Sequence, residues 1–366
     1  MRRKTMMTVI LMTATLWSSV GFGAHKWLLK EGTPDLKSAG QLAFGPDGIL
    51  FVGDAKGGAV FAVDTGDAKA GKPSEDLQID NLTARLIDVL GSDEVAVNDL
   101  AVNPISKSIY LSVSQGSDKT PALVRIDAAG NVEKISLDNV PFLKATLPNV
   151  PEDKITGEGK RAKNRRDEAI TDLAYVDGKV LVSGLTNDAA PSNVRSIAFP
   201  FAESATGANI EFYHGAHGRS EDYAAVRTFV PFNIDGEPTL LAGFTCTPLV
   251  RFSLDNLTDG GKAVGTTVAE LGNRNMPLDM IVYEQGGERF LLMANNNRGV
   301  MKISTQDIGR KEGITAPVKD GGTAGQKFET IEDLNGTVQL DRLNDELGVI
   351  IQSANDQLQL RTVKLP

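Results

Sequence analysis

Six polar residues stand where short apolar runs begin: Gln41, Asp99, Asp172, Thr228, Asp279 and Gln339. Asn98 and Asp341 lie beside two of them. If the runs are repeats of one unit, these side chains converge. Converging carboxylates repel unless a proton or cation neutralises them. Asp and Asn offer only hard oxygen donors, which suit Ca²⁺ or Mg²⁺, so Asn98, Asp99, Asp172 and Asp279 form a candidate metal set. The same aspartates also fit a purely structural role, because an Asp that opens a strand can cap nearby backbone N–H groups.

The three histidines offer a second chemistry. His214 and His217 flank Gly215-Ala216, and a pair three residues apart in a Gly-bearing loop can chelate a transition metal, or one member can act as a general base. A solvated loop pair is the other reading. His25 lies near the N-terminus and could grip copper only if it became the terminal residue. The single cysteine, Cys246, excludes an intramolecular disulfide and follows an apolar run, as a small core filler does. No Cys-x-x-Cys-His, Gly-x-Ser-x-Gly or complete phosphate loop occurs, so haem, nucleotide and flavin are not expected.

The elements that must position these residues repeat about six times. Gln41-Leu-Ala-Phe-Gly-Pro-Asp-Gly-Ile-Leu-Phe-Val, Asp99-Leu-Ala-Val-Asn-Pro and Asp172-Leu-Ala-Tyr-Val-Asp-Gly are three copies. Each predicts an inner strand, a tight turn, a second strand, a polar link and a third strand. Fourth strands are expected at 131–137, 209–213, 267–271 and 327–331. The pattern predicts an all-β, six-bladed propeller of four-stranded antiparallel blades. The last copy ends after three strands, and His25-Lys-Trp-Leu-Leu-Lys-Glu resembles Gln326-Lys-Phe-Glu-Thr-Ile-Glu. The N-terminal strand is therefore expected to complete the last blade. Long insertions are expected near 64–95, with a short helix over 81–90, and near 143–168 and 305–325. The middle one ends in Lys160, Arg161, Lys163, Arg165 and Arg166, either a solvated excursion or an anion-attracting lid.

Propeller geometry brings the inner-strand starts and the links between second and third strands to one face. The links add Asp54, Thr245, Cys246, Thr247, Asn295, Asn296, Asn297 and Arg298 to a channel-face binding set with Gln41 and Gln339. Residues 1–23 read as a secretory signal, with Arg2, Arg3 and Lys4 before an apolar stretch and cleavage near Gly23. Residues 24–366 are then one exported domain, periplasmic or secreted. The net charge of −9 argues against nucleic acid as a partner, and no later segment is apolar enough for membrane insertion. A monomer is expected.

The repeat resembles six-bladed propellers of the NHL and SMP-30/gluconolactonase-like kind. That resemblance implies one divalent metal in the channel, with Asn98 or Asp99, Asp172 and Asp279 matching the ligand types. The first-blade acid of that kind is replaced by Ala39-Gly40-Gln41. Two functions follow. One is a module that binds a small molecule or protein partner on its polar face. The other is a lactone or ester hydrolase, in which metal-bound water attacks and His214 or His217 is the base. A redox-linked role has compartment and fold in its favour, but no residue.

Overall fold

The computed structural model describes residues 26–159, 162–354 and 357–366. Residues 1–23 and His25, with the expectations placed on them, lie outside the described residues, as do Lys160 and Arg161. The chain forms six radial antiparallel sheets, the blades of a propeller. Numbered by their inner strands along the chain, blades I to VI begin at Leu42, Val95, Asp172, Val226, Pro277 and Thr337. In each blade the inner strand pairs with a second strand, the second with a third and the third with a fourth. The turn chemistry is as expected. In blade III, Asp177 and Gly178 both take positive φ between Asp172–Val176 and Lys179–Leu185, the two-residue hairpin geometry that Asp-Gly favours.

Successive blades bury their apolar faces against each other. Six clusters of fully buried Leu, Ile, Val and Phe lie in the six seams. These clusters also fix the ring order. Blade I packs on blade II through Leu50, Phe61 and Tyr110, and on blade III through Phe51, Val60 and Leu173. Blade VI packs on blade II. The ring therefore runs II–I–III–IV–V–VI, with the first two blades exchanged relative to chain order.

This exchange overturns the expected closure. The N-terminal strand Lys30–Gly32 does not complete blade VI; it lines the outer edge of blade I, where Lys30 faces Phe142. The fourth strand of blade I is Val140–Thr146, which arrives after blade II is finished. The fourth strand of blade VI is Gln78–Ile79, from the 64–95 insertion, paired with Leu360 and Arg361. Closing strands thus come from the 64–95 insertion and from the start of the 143–168 stretch. The helix predicted within 64–95 is present at Leu82–Leu90, with the Asn81 side chain accepting from Ala84 N–H and Gly91 in the left-handed region at its end. It buries Leu82 and Leu86 in the VI–II seam.

Three blades carry extra edge strands. Arg219–Glu221 extends blade III, whose fourth strand also pairs with Lys262–Val264. Ala324–Gly325, in the 305–325 insertion, extends blade IV. The 143–168 stretch holds a small hairpin, Ile155–Thr156 with Lys163–Asn164, and two of its described cations are engaged with the protein. Lys163 pairs with Glu168, and Arg166 donates to the carbonyls of Pro151 and Lys56. These contacts favour a folded excursion over an anion-attracting lid.

Candidate functional site

In four blades a β-bulge falls just before the position singled out in the sequence: between Val97 and Asp99, Val226 and Thr228, Pro277 and Asp279, and Thr337 and Gln339. A bulge lets one residue drop out of register and re-aims the next. Asn98, the skipped residue of blade II, turns its amide to the Ala39 carbonyl and Ser114 Oγ. Asp99 then faces the axis. A cavity of about 210 Å³ is lined by Gln41, Asn98, Asp99, Asp172, Asp279 and Gln339, so the fold gathers all six predicted channel residues of these inner strands. A second cavity of about 590 Å³ opens at the other end and shares Asp99, Asp172 and Asp279. These three form the waist between the two cavities.

Read in ring order, the waist alternates: Asp99, Gln41, Asp172, Thr228, Asp279, Gln339. The aspartates hold backbone donors, two each for Asp172 and Asp279. Asp172 accepts from its own Leu173 N–H at 2.7 Å and from Phe229 N–H of the next blade at 2.6 Å. Asp279 does the same with Met280 and Leu340, each at 2.8 Å. Asp99 reaches Leu42 N–H at 2.7 Å. Asp341, one step deeper on blade VI, joins Arg342 and Val102. The aspartates cap their own strands, and they also tie neighbouring blades together, a role the sequence did not display.

Burial dominates the electrostatics of this ring. It raises Asp172 to about 7 and Asp341 to about 6 against the backbone donors that favour the anion. Burial also pushes Asp99 and Asp279 well above the usual carboxylate range, and the neighbouring acids add to the effect.

The links between second and third strands behave differently. Asp54 is fully buried and accepts from Lys37, Ser38 and Gly57. Thr247 donates to the Gly272 carbonyl, and Cys246 N–H donates to Asn275. Asn295 binds Met293, Gly299 and Asn275, while Asn296 accepts from Met276 N–H. These contacts pin the segments entering blades I and V. With exposed Thr245, these side chains line neither channel cavity. Asn297 and Arg298 instead line a cavity of about 1150 Å³ away from the axis, together with His217.

His214 ends the fourth strand of blade III, Ala208–His214, whose buried face runs Ala208, Ile210, Phe212, His214. The inner strand lies three strand spacings away, roughly 14 Å. The histidines therefore sit at the rim and do not join Asp172 in the channel, so they cannot serve as base for a metal there. At the rim they meet a residue the sequence reading missed, Glu221. Phe212 faces Glu221 across the hairpin, so the two-residue period puts Glu221 and His214 on one face. His214 Nδ1 lies 3.0 Å and His217 Nδ1 2.5 Å from the Glu221 carboxylate, and Tyr223 donates to it at 2.9 Å. Burial would raise Glu221, but the His214, His217 and Tyr223 hydrogen bonds win and hold it at about 2. Among the described residues, His214, His217 and Glu221 are the one cluster of His, Cys, Asp and Glu whose ligand atoms lie close enough together to share a metal ion. The signal for Glu221 was local but faint: a buried-face His followed by a Gly turn and a returning acid.

The sequence matches no known family and no curated protein. Among solved structures it is similar to the PQQ-bound form of an aldose sugar dehydrogenase from Streptomyces coelicolor, at 12% identity over 92% of this chain and 96% of that one, with a TM-score of 0.36. The β-propeller domain of Cps50 (Swd1) from Myceliophteria thermophila gives 13% identity over 90% and 84%, with a TM-score of 0.40. The WD40 domain of Sif2 gives 10% over 92% and 98%, with a TM-score of 0.33. This chain is a six-bladed β-propeller, shown by its own sheet pairing.

Proposed function

We propose that the chain is a binding module that takes a small cationic ligand, a divalent ion such as Ca²⁺ or an organic amine, at the acidic waist of its central channel. The observation that supports this is the alternation of three buried carboxylates with neutral side chains at the meeting point of two cavities. Buried acids at such spacing keep protons they would lose in water, and a cation relieves that cost. The hydrolase reading is weaker, because the histidines it needs as base lie at the rim. Export rests on residues 1–23, and N-terminal sequencing of the secreted chain tests cleavage near Gly23.

Calorimetric titration and melting curves with CaCl₂, MgCl₂ and spermidine at pH 8 test the binding reading. One-site heat and a raised melting temperature, both lost in Asp172→Asn, are expected. No heat and no shift with any of the three would overturn it.

A further inference from the structure

We propose a second site, independent of the channel: a transition-metal centre of the Zn²⁺ class, held by His214, His217 and Glu221 at the blade III rim, whose open position faces an anion-receiving cavity. Two nitrogens and one carboxylate are the donor set of open zinc sites, with the fourth position left to water or another ligand. The two imidazoles stack with centroids 3.9 Å apart and turn their Nδ1 atoms to one carboxylate.

Two orphaned atoms distinguish this from a simple hydrogen-bonded clasp. In a metal-free cluster both Nδ1 atoms carry protons for Glu221. His214 Nε2 is then an acceptor, buried without a donor. Glu270, from the fourth strand of blade IV, lies beside His214, and its Oε2 is also buried without a partner. Both residues are 1% exposed. Two buried acceptors without donors are unfavourable. A metal at Nδ1 moves the His214 proton to Nε2 and turns it into a donor, for which Glu270 is the nearby acceptor. Carboxylate, histidine and metal in series is how bound imidazoles are usually oriented. Glu270 is itself fixed, because its Oε1 accepts from Gly215 N–H at 2.5 Å. A Cβ at Gly215 would come 3.0 Å from both Glu270 Oε1 and Val318 Cγ2, so a side chain here would press both neighbours back by a few tenths of an ångström.

The adjoining cavity explains the anion. His217 lines the 1150 Å³ space with Arg274, Arg298 and Lys319, against one acid, Asp320. The 305–325 insertion forms its far wall through Val318 N–H, which donates to the Gly215 carbonyl.

The test uses the full chain titrated with Zn²⁺ and with Co²⁺ as a visible-absorbing probe. One tetrahedral site per chain, read from an intense cobalt band, is expected and is lost in His217→Ala. That side chain is 42% exposed, so the variant is expected to keep its urea midpoint. Glu270→Gln should weaken binding about 10–100-fold, and Asp172→Asn should leave it unchanged. Inorganic phosphate should shift the cobalt band in the parent and not in an Arg274→Ala/Arg298→Ala double variant. No stoichiometric binding, or binding indifferent to His217→Ala, would overturn the centre. Loss in Asp172→Asn with retention in His217→Ala would place the ion in the channel and overturn it equally. A cobalt band indifferent to phosphate would overturn the anion-receiving role of the cavity.

Discussion

Buried carboxylates appear twice in this molecule and behave in opposite ways. At the waist, burial raises Asp172 to about 7 and Asp341 to about 6, and burial with the neighbouring acids pushes Asp99 and Asp279 well above the usual carboxylate range, against the backbone N–H groups that favour the anions. At the rim, Glu221 is more enclosed than the half-buried waist aspartates, but it meets two imidazoles and a phenol and is held at about 2. Burial alone therefore does not decide the charge state. Neutral amide donors only partly offset lost hydration, whereas donors that can themselves carry charge reverse the outcome. The waist holds carboxylates that a positive charge would relieve, and the rim holds a carboxylate already supplied with side-chain hydrogen-bond donors.

The sharpest break of this contrast is Asp172→Ala. It strands the Leu173 and Phe229 N–H groups in the interior and should cost about 2–4 kcal/mol in urea unfolding. Next is Glu221→Gln, which removes the charge shared by the histidines and should cost about 1–3 kcal/mol at pH 7. The two regions also differ in sign with pH. Asp172 and Asp341 have raised folded pKa values, so the folded state binds their protons more tightly. Stability should therefore rise as pH falls from 8 through about 6, giving a melting temperature about 2 °C higher, and Asp172→Asn should flatten that slope. Glu221 has a depressed pKa. Its contribution is present above the ordinary glutamate range and is lost as pH falls below it, so between pH 5 and 3 the parent should lose more stability than Glu221→Gln. The smallest effect belongs to the neutral members of the ring. Gln41→Ala removes no side-chain hydrogen bond and should change stability by less than about 0.5 kcal/mol.

The parts of this arrangement that were legible in the sequence are those encoded by local period and turn chemistry. Inner strands at Asp99, Asp172 and Asp279, the Asp177-Gly178 and Gly286-Gly287 turns and the Leu82–Leu90 helix all announce themselves within a dozen residues. The waist followed, because equivalent positions in a closed ring must converge. Closure did not follow, because Gln78–Ile79 is two residues long and has no alternation to detect, and its partner Leu360 lies at the other end of the chain. The role of Asp54 was hidden because a polar residue in a link looks the same whether it faces solvent or accepts from Lys37, Ser38 and Gly57. Glu221 was missed because it became important only once the Gly218 turn folded its strand back onto His214.

The exchanged order of blades I and II has a consequence for how such a chain reaches its native state. A simple tandem propeller can stack each blade on the one just made. Here blade I stays one strand short until blade II has formed, and the strand before blade II waits for the C-terminus. Thr362 Oγ1, for example, donates to the Ser74 carbonyl, 288 positions earlier. Ordering of this kind raises the entropy of loop closure and slows folding. Growth from the N-terminus therefore completes blade II before blade I. The last seam, between blades VI and II, should form late and cooperatively, and a nick within 65–77 should prevent assembly of a new chain while leaving a folded ring intact.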